Sequence, residues 1–124
     1  MPLTPGNWVY SVQGGNSQAL FGPAAGQAAF IVRCDRAQRQ ISLGREGATG
    51  TVLTVRSTSD VRSLPATVRA QPSPYLWAAL PANDRLLDSL AFSRGRFTVE
   101  ATGLPVLVIP SWPEPARVIE DCRG

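Results

Sequence analysis

From Trp8 onward apolar and polar positions alternate, with Trp8, Tyr10 and Val12 pointing one way and Val9, Ser11 and Gln13 the other. A period of two marks a strand with one buried face. Gly14-Gly15-Asn16 then turns the chain, its glycines supplying the positive φ of a tight turn, and Gln18 to Phe21 continues as the second strand of a hairpin. Gly22 and Pro23 end it. A more apolar strand follows, with Phe30, Val32 and Cys34 on one face and Ala29, Ile31 and Arg33 on the other. After a turn at Asp35 to Gln38, strands over Gln40 to Arg45 and Thr51 to Ser57 complete a meander.

The middle of the chain is punctuated differently. Thr67 to Ala70 and Tyr75 to Leu80 read as short strands, which Pro65, Pro72, Pro74 and Pro81 confine to edges or irregular positions. From Asn83 to Arg94 the period becomes helical through Leu86, Leu87, Leu90 and Ala91, with Asn83 or Asp84 as cap, Arg94 complementing the helix dipole and Gly95 ending the helix. Alternation returns over Arg96 to Ala101, and the continuous apolar run Val106 to Ile109 is expected to pair with it as a hairpin. The tail reads as a closing helix entered at Pro113. Ser111 and Glu114 match a capping box, but that register puts Pro115 where a backbone donor is required. With Trp112 as cap, both prolines fall in the donor-free first turn.

The expected fold is therefore mainly β: an antiparallel β-sandwich or partly closed barrel with two short helices, one before the last hairpin and one C-terminal. Eleven glycines and eleven prolines are spread along the 124 residues without forming a linker, so residues 1–124 are read as one domain. The hydrophobic content of 44% and charged content of 17% argue against disorder. Residues 1–6 read as a loop-like leader, expected to follow a removed signal or lipoprotein segment that could carry a lipid anchor. No stretch approaches the roughly 18 apolar residues of a membrane span.

Charge sharpens the functional reading. All twelve basic residues are arginine, and neither lysine nor histidine occurs, so the usual general base near neutral pH, the commonest metal ligand and the Schiff-base amine are all missing. A non-enzyme without cofactor or metal is expected. Seven arginines, Arg33, Arg36, Arg39, Arg45, Arg56, Arg62 and Arg69, fall in the first part of the strand region and would allow a partly basic face. Asp84 and Asp88 beside Arg85, and Glu120-Asp121 beside Arg117, read as solvated helix faces. Most of the aromatic residues are expected in the core. Tyr75 and Trp77 are the exceptions, candidates for an exposed contact surface between prolines; the competing reading turns Trp77 and Leu80 inward beneath the helix that starts near Asn83.

Two cysteines are too far apart for a CxxC motif and lack the further ligands of a zinc site, so they either pair or remain buried thiols. Their placement at the ends of a core strand and of the last helix favours a Cys34–Cys122 disulfide pinning the tail to the sheet. Such a bridge implies an oxidising compartment, and by loop entropy it would stabilise the fold by roughly 4 to 5 kcal/mol.

Three segments, Phe30 to Asp35, Leu86-Leu87 to Phe97, and Arg117-Val118-Ile119-Glu120-Asp121-Cys122, resemble small bacterial envelope proteins and lipoproteins of uncharacterised role. More distantly they resemble the invasion-associated locus B family and accessory lipoprotein-like domains of type VI secretion. The resemblance implies a β-sandwich-like domain in the periplasm or tethered to the outer membrane, and no activity. The leading expectation is a non-catalytic envelope domain that binds a protein or a small ligand. The alternative, a small arginine-rich β-barrel binding nucleic acid, has less support because the arginines lack interleaved aromatic pairs. Protein alkylated under denaturing, non-reducing conditions should show no added alkyl group by intact mass; two per chain would refute the disulfide.

Overall fold

The computed structural model describes residues 2–93 and 95–124; Arg94, expected to complement the dipole of the first helix, lies outside them. Ten strands and two helices follow in the order β1 (Asn7–Gln13), β2 (Asn16–Gly22), β3 (Phe30–Asp35), β4 (Gln40–Glu46), β5 (Val52–Arg56), β6 (Val61–Pro65), β7 (Thr67–Arg69), β8 (Tyr75–Pro81), α1 (Arg85–Ala91), β9 (Arg96–Glu100), β10 (Leu107–Pro110) and α2 (Pro113–Arg123). They form a six-stranded sheet, β1-β2-β3-β4-β8-β7, and a four-stranded sheet, β10-β9-β5-β6, with every pairing antiparallel. The architecture is a β-sandwich with two short helices, not a closed barrel.

Alternation decides which side chains fill the space between the sheets. Phe21, Phe30, Leu43 and Leu76 from the larger sheet meet Leu53, Val55, Phe97 and Val99 from the smaller one, all essentially excluded from solvent. Trp8 closes this layer, its ring 5.5 Å from Phe21 and 6.3 Å from Phe30, and Phe30 lies 5.9 Å from Phe97. Such tilted aromatic contacts add to the gain from burial alone.

The two sheets are laced together at both edges. The Trp8 indole N–H donates to the Pro110 carbonyl at 2.8 Å, while Thr4 N donates to the Val108 carbonyl and Val108 N to Thr4 Oγ1, each at 2.8 Å. The leader is thus tied to β10. At the opposite edge the chain passes from β6 to β7 through Ala66, whose N–H donates to Thr51 at 2.9 Å, so one extended run changes sheets at a corner.

The four-stranded sheet is too small to cover the larger one, and α2 covers the remainder. Val118, Ile119 and Cys122 pack down onto β1 to β4, and Cys34 and Cys122 are disulfide-bonded with Cα atoms 5.5 Å apart across 88 residues of sequence. On the same helix, Asp121 accepts a hydrogen bond from the Tyr10 hydroxyl, and Arg117 lies 4.1 Å over the Tyr10 ring. The expected start of α2 holds: Trp112 is the N-cap, with proline in the first turn.

Four expectations need correction. The strand over Thr51 to Ser57 does not complete the meander: β4 pairs with β8, and β5 lies in the smaller sheet between β9 and β6. The prolines do not confine Tyr75 to Leu80 to an edge. Pro72 and Pro74 precede β8 and Pro81 is its last residue, so they bracket an interior strand without interrupting its ladders to β4 and β7. The first helix stops at Ala91, with Phe92 as C-cap, and Gly95 serves a later turn. Its acids are not merely solvated: Asp84 caps the helix through Leu86 N, pairs with Arg62 through both carboxylate oxygens, and is held below its usual pKa chiefly by that arginine. Asp88 pairs with Arg123 at 2.7 Å.

Phe30 lies at the junction of the aromatic contacts and is fully buried. Phe30→Ala should destabilise the fold by about 3–5 kcal/mol, read from a denaturation midpoint; an unchanged midpoint would contradict this core assignment.

Candidate functional site

The outer face of the six-stranded sheet carries the most organised group of polar and aromatic side chains. Strand register sets Leu20, Ile31, Gly44, Trp77 and Thr67 in one row across β2, β3, β4, β8 and β7. On one side of it lies the row Gln18, Arg33, Ser42 and Ala79, and on the other the pairs Glu46–Tyr75 and Tyr75–Arg69. Because β8 alternates, Leu76, Ala78 and Leu80 enter the core while Tyr75 and Trp77 face outward. Trp77 and Leu80 therefore cannot turn inward together.

Gly44 makes room for Trp77. A Cβ at position 44 would stand 2.6–2.8 Å from three atoms of the six-membered ring of the indole, closer than a side chain tolerates, so the ring lies over the glycine backbone of the neighbouring strand. Glycine inside a strand often marks such an approach. On Trp77 rests the Arg33 guanidinium, its carbon 4.8 Å from the ring centroid. Tyr75 stands 5.8 Å from Trp77, centroid to centroid, but the expectation that it is exposed needs correction: the residue is only 7% exposed, and its hydroxyl donates to the Ala28 carbonyl of the loop over it at 2.5 Å. Burial raises the Tyr75 pKa, with the Glu46 carboxylate adding to the shift.

Arg33 is held as well as stacked. Its Nε–H donates to Gln18 Oε1 at 3.2 Å, and the Gln18 amide, only 8% exposed, donates in turn to Ser11 Oγ at 3.3 Å. Its pKa is lowered, first by partial desolvation and then by the positive charge of Arg69. Among the described residues neither arginine has a carboxylate within ion-pair distance, whereas Arg56, Arg62 and Arg123 each do.

Two depressions meet at this group. One of about 640 Å³ is bounded by Asn16, Asp35, Gln38 and Thr67, and a smaller one of about 220 Å³ by Gln27, Pro72 and Tyr75. Arg33, Arg69 and Trp77 line both, so the two read as one trough across the strands. A separate hollow of about 420 Å³ lies beside Cys122, Arg39 and Arg123. Among the described residues, no three residues of the metal-ligating types are grouped to hold an ion. No family model, curated protein or solved structure matches the chain.

The arginine-rich first half does not converge on one basic face. Arg45 points inward, 5% exposed, and donates to the Glu46 and Pro105 carbonyls, while Arg62 serves α1. Only Arg33 and Arg69 of the seven share the trough. Sequence reading singled out Tyr75 and Trp77 but passed over Arg33, Arg69 and Gly44 as a set. The isolated glycine in an otherwise regular strand was the available signal; its partner needed the β4–β8 register.

Replacing Gly44 by alanine should force the indole off the sheet, costing about 1–3 kcal/mol as in other overpacked sites, with a changed near-ultraviolet circular dichroism spectrum. Unaltered stability and spectrum would show that Trp77 does not depend on the missing Cβ.

Proposed function

We propose that this protein is a non-catalytic domain of the bacterial cell envelope that binds a protein or small ligand through the outer face of its six-stranded sheet. The observation that carries the reading is the Trp77 platform: an indole laid on Gly44, stacked by a restrained Arg33, and joined by Arg69 in one trough. Aromatic residues and arginine are the side chains most often found at the energetic centres of interfaces. A face used only as solvated surface has no need of such fixed geometry.

The remaining features fit a binding role. The sequence contains neither histidine nor lysine, so acid–base or covalent chemistry would have to run on carboxylates, hydroxyls and arginine. The Cys34–Cys122 disulfide suits an oxidising compartment, and among the described residues no helix is long and apolar enough to cross a membrane. Periplasmic residence, or tethering to the outer membrane by a lipid anchor, is the setting we propose.

The test is photo-cross-linking in intact cells. A photoreactive residue at the exposed Ala79, beside Trp77, should give a discrete adduct, while one at the exposed Val61 on the four-stranded sheet should give none. Adducts from Val61 alone, or none from Ala79, would overturn the assignment of the binding face.

A further inference from the structure

Building on that binding face, we infer that the trough receives an extended acidic polypeptide segment, with its carboxylates on Arg33 and Arg69. The inference deepens the reading above and depends on it. Three observations carry it.

The first is a pair of arginines without ion-pair partners. Arg33 and Arg69 face the same trough and raise the local positive potential together, yet among the described residues no carboxylate lies within ion-pair distance of either. Two acids share this face, Asp35 two residues from Arg33 along β3 and Glu46 in the row of Tyr75 and Arg69, but neither makes an ion pair with these arginines; Asp35 accepts a hydrogen bond from Gln38 N at 3.3 Å instead. Like charges set together with no carboxylate paired to either are unfavourable in the isolated domain, and an anionic partner would relieve them.

The second is the state of the Arg33 donors. Gln18 takes its Nε–H and the indole supports its flat face, so the guanidinium is oriented before any ligand arrives. Among the described residues its two Nη groups meet no acceptor, which leaves the end-on fork that matches a carboxylate through two parallel bonds. Little side-chain freedom is left to lose on binding.

The third observation separates a peptide from a nucleic acid. Sequence-tolerant binding of single strands needs an open aromatic face for bases to stack on and a basic track for the phosphates. Here one face of Trp77 lies on Gly44 and Arg33 occupies a position over the ring, while Tyr75 is buried under the Ala28 loop. Two arginines and a nearby aspartate make a short mixed site, not a continuous track. The trough is open and crosses several strands, a shape suited to an extended segment.

Binding is measured at low salt by titrating a short oligoglutamate peptide into the oxidised protein and following tryptophan emission. An oligolysine peptide, an oligothymidylate of similar length and inorganic phosphate serve as parallel probes. The expected result is saturable binding of oligoglutamate alone, weakened about tenfold or more by Arg33→Gln and by Arg69→Gln, as expected for one charge-assisted contact each. Arg69→Gln leaves the indole stack untouched, so it remains informative if Arg33→Gln unfolds. Equal or tighter binding of oligothymidylate would replace the peptide with nucleic acid. Phosphate binding as tightly as the peptide would reduce the trough to a small-anion site. Failure of every anion to bind would overturn the ligand class, while a surviving Ala79 cross-link would leave the binding face standing.

Discussion

The structure turns on a mismatch between its two sheets. Six strands present more inner face than four can cover, and apolar surface left open to water would be costly. The C-terminal helix supplies the missing cover, and the Cys34–Cys122 bridge holds it there. The bridge spans 88 residues of sequence, so its effect on the unfolded chain is large, and it acts at the middle of the sheet, on β3. Tyr10 and Asp121 add a second tie between the edge strand and the helix.

The same strand connects stability with the candidate site. Cys34 and Arg33 are neighbours on β3 and point to opposite faces, one into the sealed core and the other onto the Trp77 platform. Fixing the inner face of β3 therefore fixes the outer row with it. The β4 strand repeats the arrangement, since Leu43 enters the core while Gly44, the next residue, admits the indole. A binding group placed on interior strands is held more precisely than one placed on a loop. Restraint at Trp77 and Arg33 is thus a consequence of core packing beneath them.

Much of this was legible in the chain. Strong alternation located β1 to β4, the helical period located α1, and the two prolines fixed the entry of α2. The failures have physical causes. Strand β6 escaped notice because one of its two inward positions is Arg62, which serves Asp84, leaving Leu64 as its only buried residue. Prolines around β8 suggested an edge, but a proline just before a strand or at its end removes no interior ladder bond. Trp77 was found as an exceptional aromatic, whereas Tyr75, expected to be exposed with it, is buried, and the arginines that give the platform a chemical direction were not found. Arg33 and Arg69 are 36 residues apart in sequence, and only the order β3-β4-β8-β7 puts them on one face.

The central claim is that Arg33 is already ordered on Trp77 in the free protein. Side-chain nuclear magnetic resonance of the arginine Nε–H groups and adjoining methylenes measures this directly. The account predicts that Arg33 protons are shifted upfield by the indole ring current and that its Nε–H is restrained, unlike that of the exposed Arg85. Shifts and mobility for Arg33 that match those of Arg85 would contradict it.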